Sequence, residues 1–178
     1  VGSVVNAVFV LPFLLFSASA GQITDKFNKT RIIRLVKDLE IFIAAVAAWG
    51  FVQHSPYALL FCTFLMGLHS TLFGPVKYAL LPQVLHEREL VGGNGMIEMG
   101  TFVAILLGQM AGTLLIGIEW GVQWAALVCV LVALAGRISA QLVPMTEPGD
   151  AALKLNWNPI SETWRNLKLA HERPVVFR

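Results

Sequence analysis

Lys77 and Glu98 are the charges set closest against long apolar stretches, where an unpaired charge costs about 3 kcal/mol unless it is hydrated or reaches water. They could pair with each other or with loop charges to hold helix ends together, reach water by themselves, or meet a ligand that carries both signs. His69, between Leu68 and Ser70, is the ionisable group nearest the middle of its stretch. It can take up a proton, or stay neutral and hydrogen-bond a neighbouring helix, and the second reading is the simpler one. Asn6 and Gln109 pose a choice between lining a cavity and bonding between helices; bonding is expected for Gln109, and Asn6 stays open. A second constellation is Gly21-Gln-Ile-Thr-Asp25-Lys26-Phe27-Asn28-Lys29-Thr30-Arg31, a polar stretch between two apolar ones. Gly21 should allow a tight turn, with Asn28 tolerating the left-handed backbone region. Asp25 offers a carboxylate at a helix end, and Lys26, Lys29 and Arg31 supply charge that resists translocation.

The elements that must position these groups are membrane spans. The chain is 56% hydrophobic and 13% charged, against roughly 25% charged residues in soluble domains. Its mean hydropathy is +0.69. About 20 mostly apolar residues cross a bilayer core, and five segments qualify, at residues 1–20, 33–52, 57–78, 96–116 and 122–142. Cys62 and Cys129 both fall inside apolar runs and read as small buried hydrophobes, so no external disulfide framework is expected. Gly74 and Pro75 should bend the end of the third span and present Lys77 to a cavity rim. Gly100, Gly108 and Gly112 share one face of the fourth span and should allow close helix contact.

Charge placement sets the expected orientation. Lys26, Lys29, Arg31, Arg34 and Lys37 cluster before the second span, Lys77 and Arg88 flank the next charged loop, and Arg137 opens the basic tail. The turns at 53–56 and 117–121 carry no Lys or Arg. By the positive-inside rule the charged loops face the cytoplasm and Val1 lies outside. Residues 143–174 read as a cytoplasmic linker with an amphipathic interfacial helix that begins near Asn158-Pro159. Residues 175–178 look like the start of a further span.

The stretch from Gly21 to Arg31 resembles the loop between spans two and three of major facilitator transporters, G-x-x-x-D-[RK]-x-[GN]-[RK]-[RK], with Asn28 in the usual glycine position and Thr30 interrupting the basic pair. Phe73-Gly-Pro-Val-Lys-Tyr-Ala-Leu-Leu-Pro82 and Glu89-Leu-Val-Gly-Gly-Asn-Gly-Met-Ile-Glu-Met-Gly-Thr101 resemble the lysophospholipid transporter branch of that superfamily. The likeness extends over essentially the whole chain. It implies an all-α membrane protein forming part of a six-helix half: five spans plus a cytoplasmic connector, completed by a first helix and a carboxy-terminal half. It also implies a carrier that moves lysophospholipid, with lysophosphatidylethanolamine expected, from the outer to the inner leaflet of a bacterial cytoplasmic membrane. Asp25 with Arg88 would form a gate latch supported by Gly21, Lys26, Lys29 and Arg31. Lys77 would meet the lipid phosphate and Glu98 its ammonium, with Asn6 and His69 as further candidate contacts.

Such transporters are similar to the amino-terminal region of fusions that carry 2-acylglycerophosphoethanolamine acyltransferase and acyl-carrier-protein synthetase domains. Two other functions therefore stand beside transport of lysophospholipid: export of other small amphiphiles, and anchoring of a fused acyltransferase. The chain has no His with an Asp four residues on in a soluble setting, so no enzyme is expected within it. No cofactor, metal or nucleic acid is expected as a partner.

Overall fold

A computed structural model describes residues 2–150 together with 152, 153, 155, 156, 158 and 168. Five long helices account for almost all of the described chain: α1 (Gly2–Lys26), α2 (Lys29–Val52), α3 (Pro56–Val84), α4 (Leu90–Ile116) and α5 (Gly121–Ser139), with a single 3-10 turn at Glu87–Glu89. No strand occurs among the described residues. Four of the helices, α1, α3, α4 and α5, are long and apolar enough to cross a membrane. Arg34, Lys37, Asp38 and Glu40 set α2 apart from them.

The connections follow from local chemistry. Asn28 caps α2, its Oδ1 accepting the Arg31 N–H at 3.0 Å, which satisfies one of the donors that a helix start leaves free. Its φ of −61° is ordinary extended backbone, not the left-handed conformation anticipated for it. Nor does Gly21 make the turn: α1 runs on through it to Lys26, and a Cβ there would meet nothing within 4 Å. The corner is only Phe27 and Asn28, because a capped start needs no longer loop. At the opposite end Ser55 caps α3 ahead of Pro56 in its first turn, a position where a missing N–H costs no helix bond. The α4–α5 turn closes on Gly121, where a Cβ would lie 1.5 Å from the Leu115 carbonyl oxygen.

Helix α3 is central, packed along α1 on one side and α2 on the other, while α2 also packs on α5. It continues as one helix through Gly74, Pro75 and Pro82. Gly67 brings α3 against α1: a Cβ there would sit 2.2 Å from the Phe9 carbonyl oxygen and 3.1 Å from the Pro12 ring. By contrast, α4 buries none of its residues, and Gly100, Gly108 and Gly112 face open space. The close contact expected of that stripe therefore belongs to Gly67 instead.

A buried core of Ile32, Ile33, Val36, Val76 and Ala140 ties the ends of α2, α3 and α5 together beside the α1–α2 corner. The segment after α5 folds over this corner. Thr30, fully buried, donates to the Pro144 carbonyl at 2.6 Å, and the Asn28 amide donates to the Thr146 carbonyl. Asp150 N–H donates to the Asp25 carbonyl at 3.1 Å, and the backbone of Gly149 passes so close that a Cβ would overlap that oxygen. Gln22 exchanges two bonds with the backbone of Asn156, at 2.7 and 3.4 Å. Thr30, the residue that interrupts the basic pair, is thus the seat of this clasp. Thr30→Val should cost about 1 to 2 kcal/mol by leaving the Pro144 carbonyl without its donor. Thermal melts in mild detergent, with the rate of proteolysis between residues 143 and 150 as second readout, measure it. An unchanged melt and cleavage rate would mean the clasp contributes nothing.

The expected amphipathic helix from Asn158, and the segment 175–178, lie outside the described residues apart from Asn158 and Lys168.

Candidate functional site

Lys77 and Glu98 come together. Their charged atoms are 3.8 Å apart between α3 and α4, and Lys77 also donates to the Thr101 hydroxyl at 3.4 Å. Its ammonium lies 4.8 Å from the centre of the Tyr78 ring, which adds a cation–π contact. Glu98 is 44% exposed, so the pair can open at little cost, on the order of 1 kcal/mol or less. A cation and an anion held side by side and reachable from outside can accept the two charges of a zwitterion in exchange for each other.

His69 faces another way. It is buried between α3 and α2, stacked on Phe73 with ring centres 5.8 Å apart, and its Nε2 lies 3.5 Å from Glu40 Oε2. The same Oε2 accepts from the Lys37 ammonium at 2.6 Å, and that ammonium sits 5.0 Å above the Phe73 ring. Beside this trio, Arg137 of α5 bonds Asp38, and Gly136 makes room for the Lys37 stem. This charged layer joins α2, α3 and α5. In the residue order Lys37 stands only as the last of the basic cluster before the second span, and Arg137 as the opening of the basic tail. The available signal was the spacing of Lys37 and Glu40 by three, which puts both on one helix face.

The four candidate substrate residues do not form one site. Asn6 is exposed near the start of α1, with no side-chain bond among the described residues, and His69 is turned toward Glu40 rather than toward Lys77. Gln109 is exposed on α4, and the interhelical bond expected of its side chain is not made among the described residues. Asp25 and Arg88 form no ion pair among the described residues. Asp25 is engaged instead through its backbone by Asp150, and Arg88 lies in the 3-10 turn, whose start is closed by the His86 N–H donating to Glu89 at 3.0 Å. Of the latch residues, Lys29 is buried at the start of α2 while Lys26 and Arg31 border a cavity.

Long apolar helices joined by tight turns, with ionisable side chains between them, define a multi-pass helical membrane protein. The chain belongs to the Major Facilitator Superfamily, whose family model matches residues 1–177. It is similar to proteins named lysophospholipid transporter LplT: 32% identical to that of Enterobacter sp. (strain 638) over 152 residues, 83% of this chain and 36% of the relative. To those of Serratia proteamaculans (strain 568) and Escherichia coli O1:K1 / APEC it is 28% and 30% identical, over 90% and 92% of this chain and 38% and 41% of theirs. The chain thus spans about two fifths of the length of the curated relatives it matches. No solved structure matches it.

Proposed function

We infer that this chain is part of a carrier that moves lysophospholipid, with lysophosphatidylethanolamine as substrate, across a bacterial cytoplasmic membrane by alternating access. The observation that carries this reading is the similarity to lysophospholipid transporters over four fifths or more of the chain. Lys77 and Glu98 support it, since a phosphate and an ammonium on one headgroup match the charges that face each other between α3 and α4. An acyltransferase that re-acylates the delivered lipid is the proposed downstream partner. The remaining helices of the carrier would come from chain beyond this stretch.

Uptake of labelled lysophosphatidylethanolamine into spheroplasts tests the reading, with the chain expressed in its full reading frame. Uptake should exceed that of cells without the protein, and Glu98→Gln should lower it while leaving abundance unchanged. Equal uptake with and without the protein would refute the substrate.

The proposed orientation puts the charged helix ends in the cytoplasm and the amino terminus in the periplasm. Single cysteines at the exposed position Arg31 and at Glu162 of a Cys62→Ala, Cys129→Ala chain should be protected from impermeant thiol reagents in intact cells, whereas His54 and Glu119 positions should react. Rapid external labelling at position 31 would reverse the topology.

A further inference from the structure

A cavity of about 490 Å³ opens where α1 ends and α2 begins, within the size range of small-molecule sites. Ile23, Ile32, Val36 and Leu72 give it an apolar wall drawn from three helices. Phe27 and Leu35, 46% and 65% exposed, extend that wall outward onto the surface. Among the described residues, the charged ones in the lining are Lys26 and Arg31. Neither side chain forms an ion pair or hydrogen bond among the described residues; Lys26 has only a contact with the Phe27 ring, 5.8 Å away. Asp25, beside Lys26, and Glu147, beside Pro148, are not part of the lining.

An apolar groove open at the surface, with two cations at a helix end that have no anionic partner among the described residues, suits one kind of occupant. We propose that the groove between α1, α2 and α3 binds an anionic phospholipid of the surrounding leaflet, one acyl chain lying along Ile23, Ile32 and Leu72 and the phosphate held between Lys26 and Arg31. The lipid is a structural ligand here, distinct from any cargo at Lys77 and Glu98, and it gives the two loop cations a partner that Asp25 and Arg88 do not. A zwitterionic lipid would fill the same groove but bring a positive charge to the two cations. The selectivity therefore comes from charge, and the volume accommodates a single chain.

Photolabelling of the purified chain in phosphatidylcholine nanodiscs tests this, with a trace of phosphatidylglycerol or of phosphatidylcholine bearing a diazirine in one acyl chain. Peptides covering residues 23–36 and Leu72 should be labelled roughly tenfold more by the anionic probe, since each surface cation favours an anionic lipid by a few-fold to several-fold. Lys26→Gln with Arg31→Gln should bring labelling down to the phosphatidylcholine level at unchanged helix content, and Lys26→Arg with Arg31→Lys should retain it. Equal labelling by the two probes would overturn the proposal. So would undiminished labelling of the Gln variant, or labelling spread over α4 with none enriched at residues 23–36, as expected if another part of the chain fills the groove.

Discussion

Gly67→Ala should loosen α1 from α3 and destabilise the purified chain by about 2 kcal/mol, although alanine is the better helix former. In an open helix position the exchange gains up to about 1 kcal/mol. Here the new methyl carbon would lie 2.2 Å from the Phe9 carbonyl oxygen, a backbone atom that cannot swing aside as a side-chain tip would. The Pro12 ring at 3.1 Å closes the other direction of escape. The two helices must move apart, and overpacking of this kind costs about 3 kcal/mol, which exceeds the propensity gain. Gly108→Ala is the matched control, because nothing lies within 4 Å of that position and only the gain remains. Unfolding in mixed detergent, followed by circular dichroism, should move in opposite directions for the two variants. A shared direction would mean that the α1–α3 approach is not as close as described.

Glu40→Gln should destabilise the chain by about 2 to 3 kcal/mol, a somewhat smaller loss than for a fully buried pair because both carboxylate and ammonium remain about one fifth exposed. The carboxylate oxygen accepts the Lys37 ammonium at 2.6 Å and lies 3.5 Å from His69 Nε2, so its neutralisation leaves the partly buried ammonium without its anion. Asp38 cannot substitute, since it is held by Arg137. Lys37→Met alone strands Glu40 in turn. The double variant removes both charges and should cost about 1 to 2 kcal/mol less than the sum of the single losses. Additive losses in that cycle would show that Lys37 and Glu40 do not act as a pair.

These two sites mark the limit of what could be read from the chain alone. Hydropathy is a local property, because crossing a bilayer requires each segment to be apolar on its own account. The four apolar helices, the short turns near His54 and Glu119 and the clustering of Lys and Arg at alternate ends therefore stood in the residue order. So did the nearness of Lys77 to Glu98, since each lies at the end of a helix that borders the same short loop. The motifs at 73–82 and 89–101 pointed to the superfamily that the chain belongs to.

What the residue order could not supply is which neighbour each side chain meets. Gly67 and Gly108 are alike as letters, and only the position of α1 makes the first a close contact and leaves the second open. His69 and Glu40 sit on different helices, and the rotation of α3 about its axis decides that the ring looks toward α2 rather than toward Asn6 or Lys77. Thr30 reads as a gap in a basic motif until the return of the chain from α5 covers it with Pro144 and Thr146. Composition and period determined that there would be helices and which ends carry charge, because those depend on neighbours along the chain. Helix rotation, the choice of partner for a buried charge and the seat of the clasp depend on contacts between residues up to 134 positions apart, so the tertiary structure alone decided them.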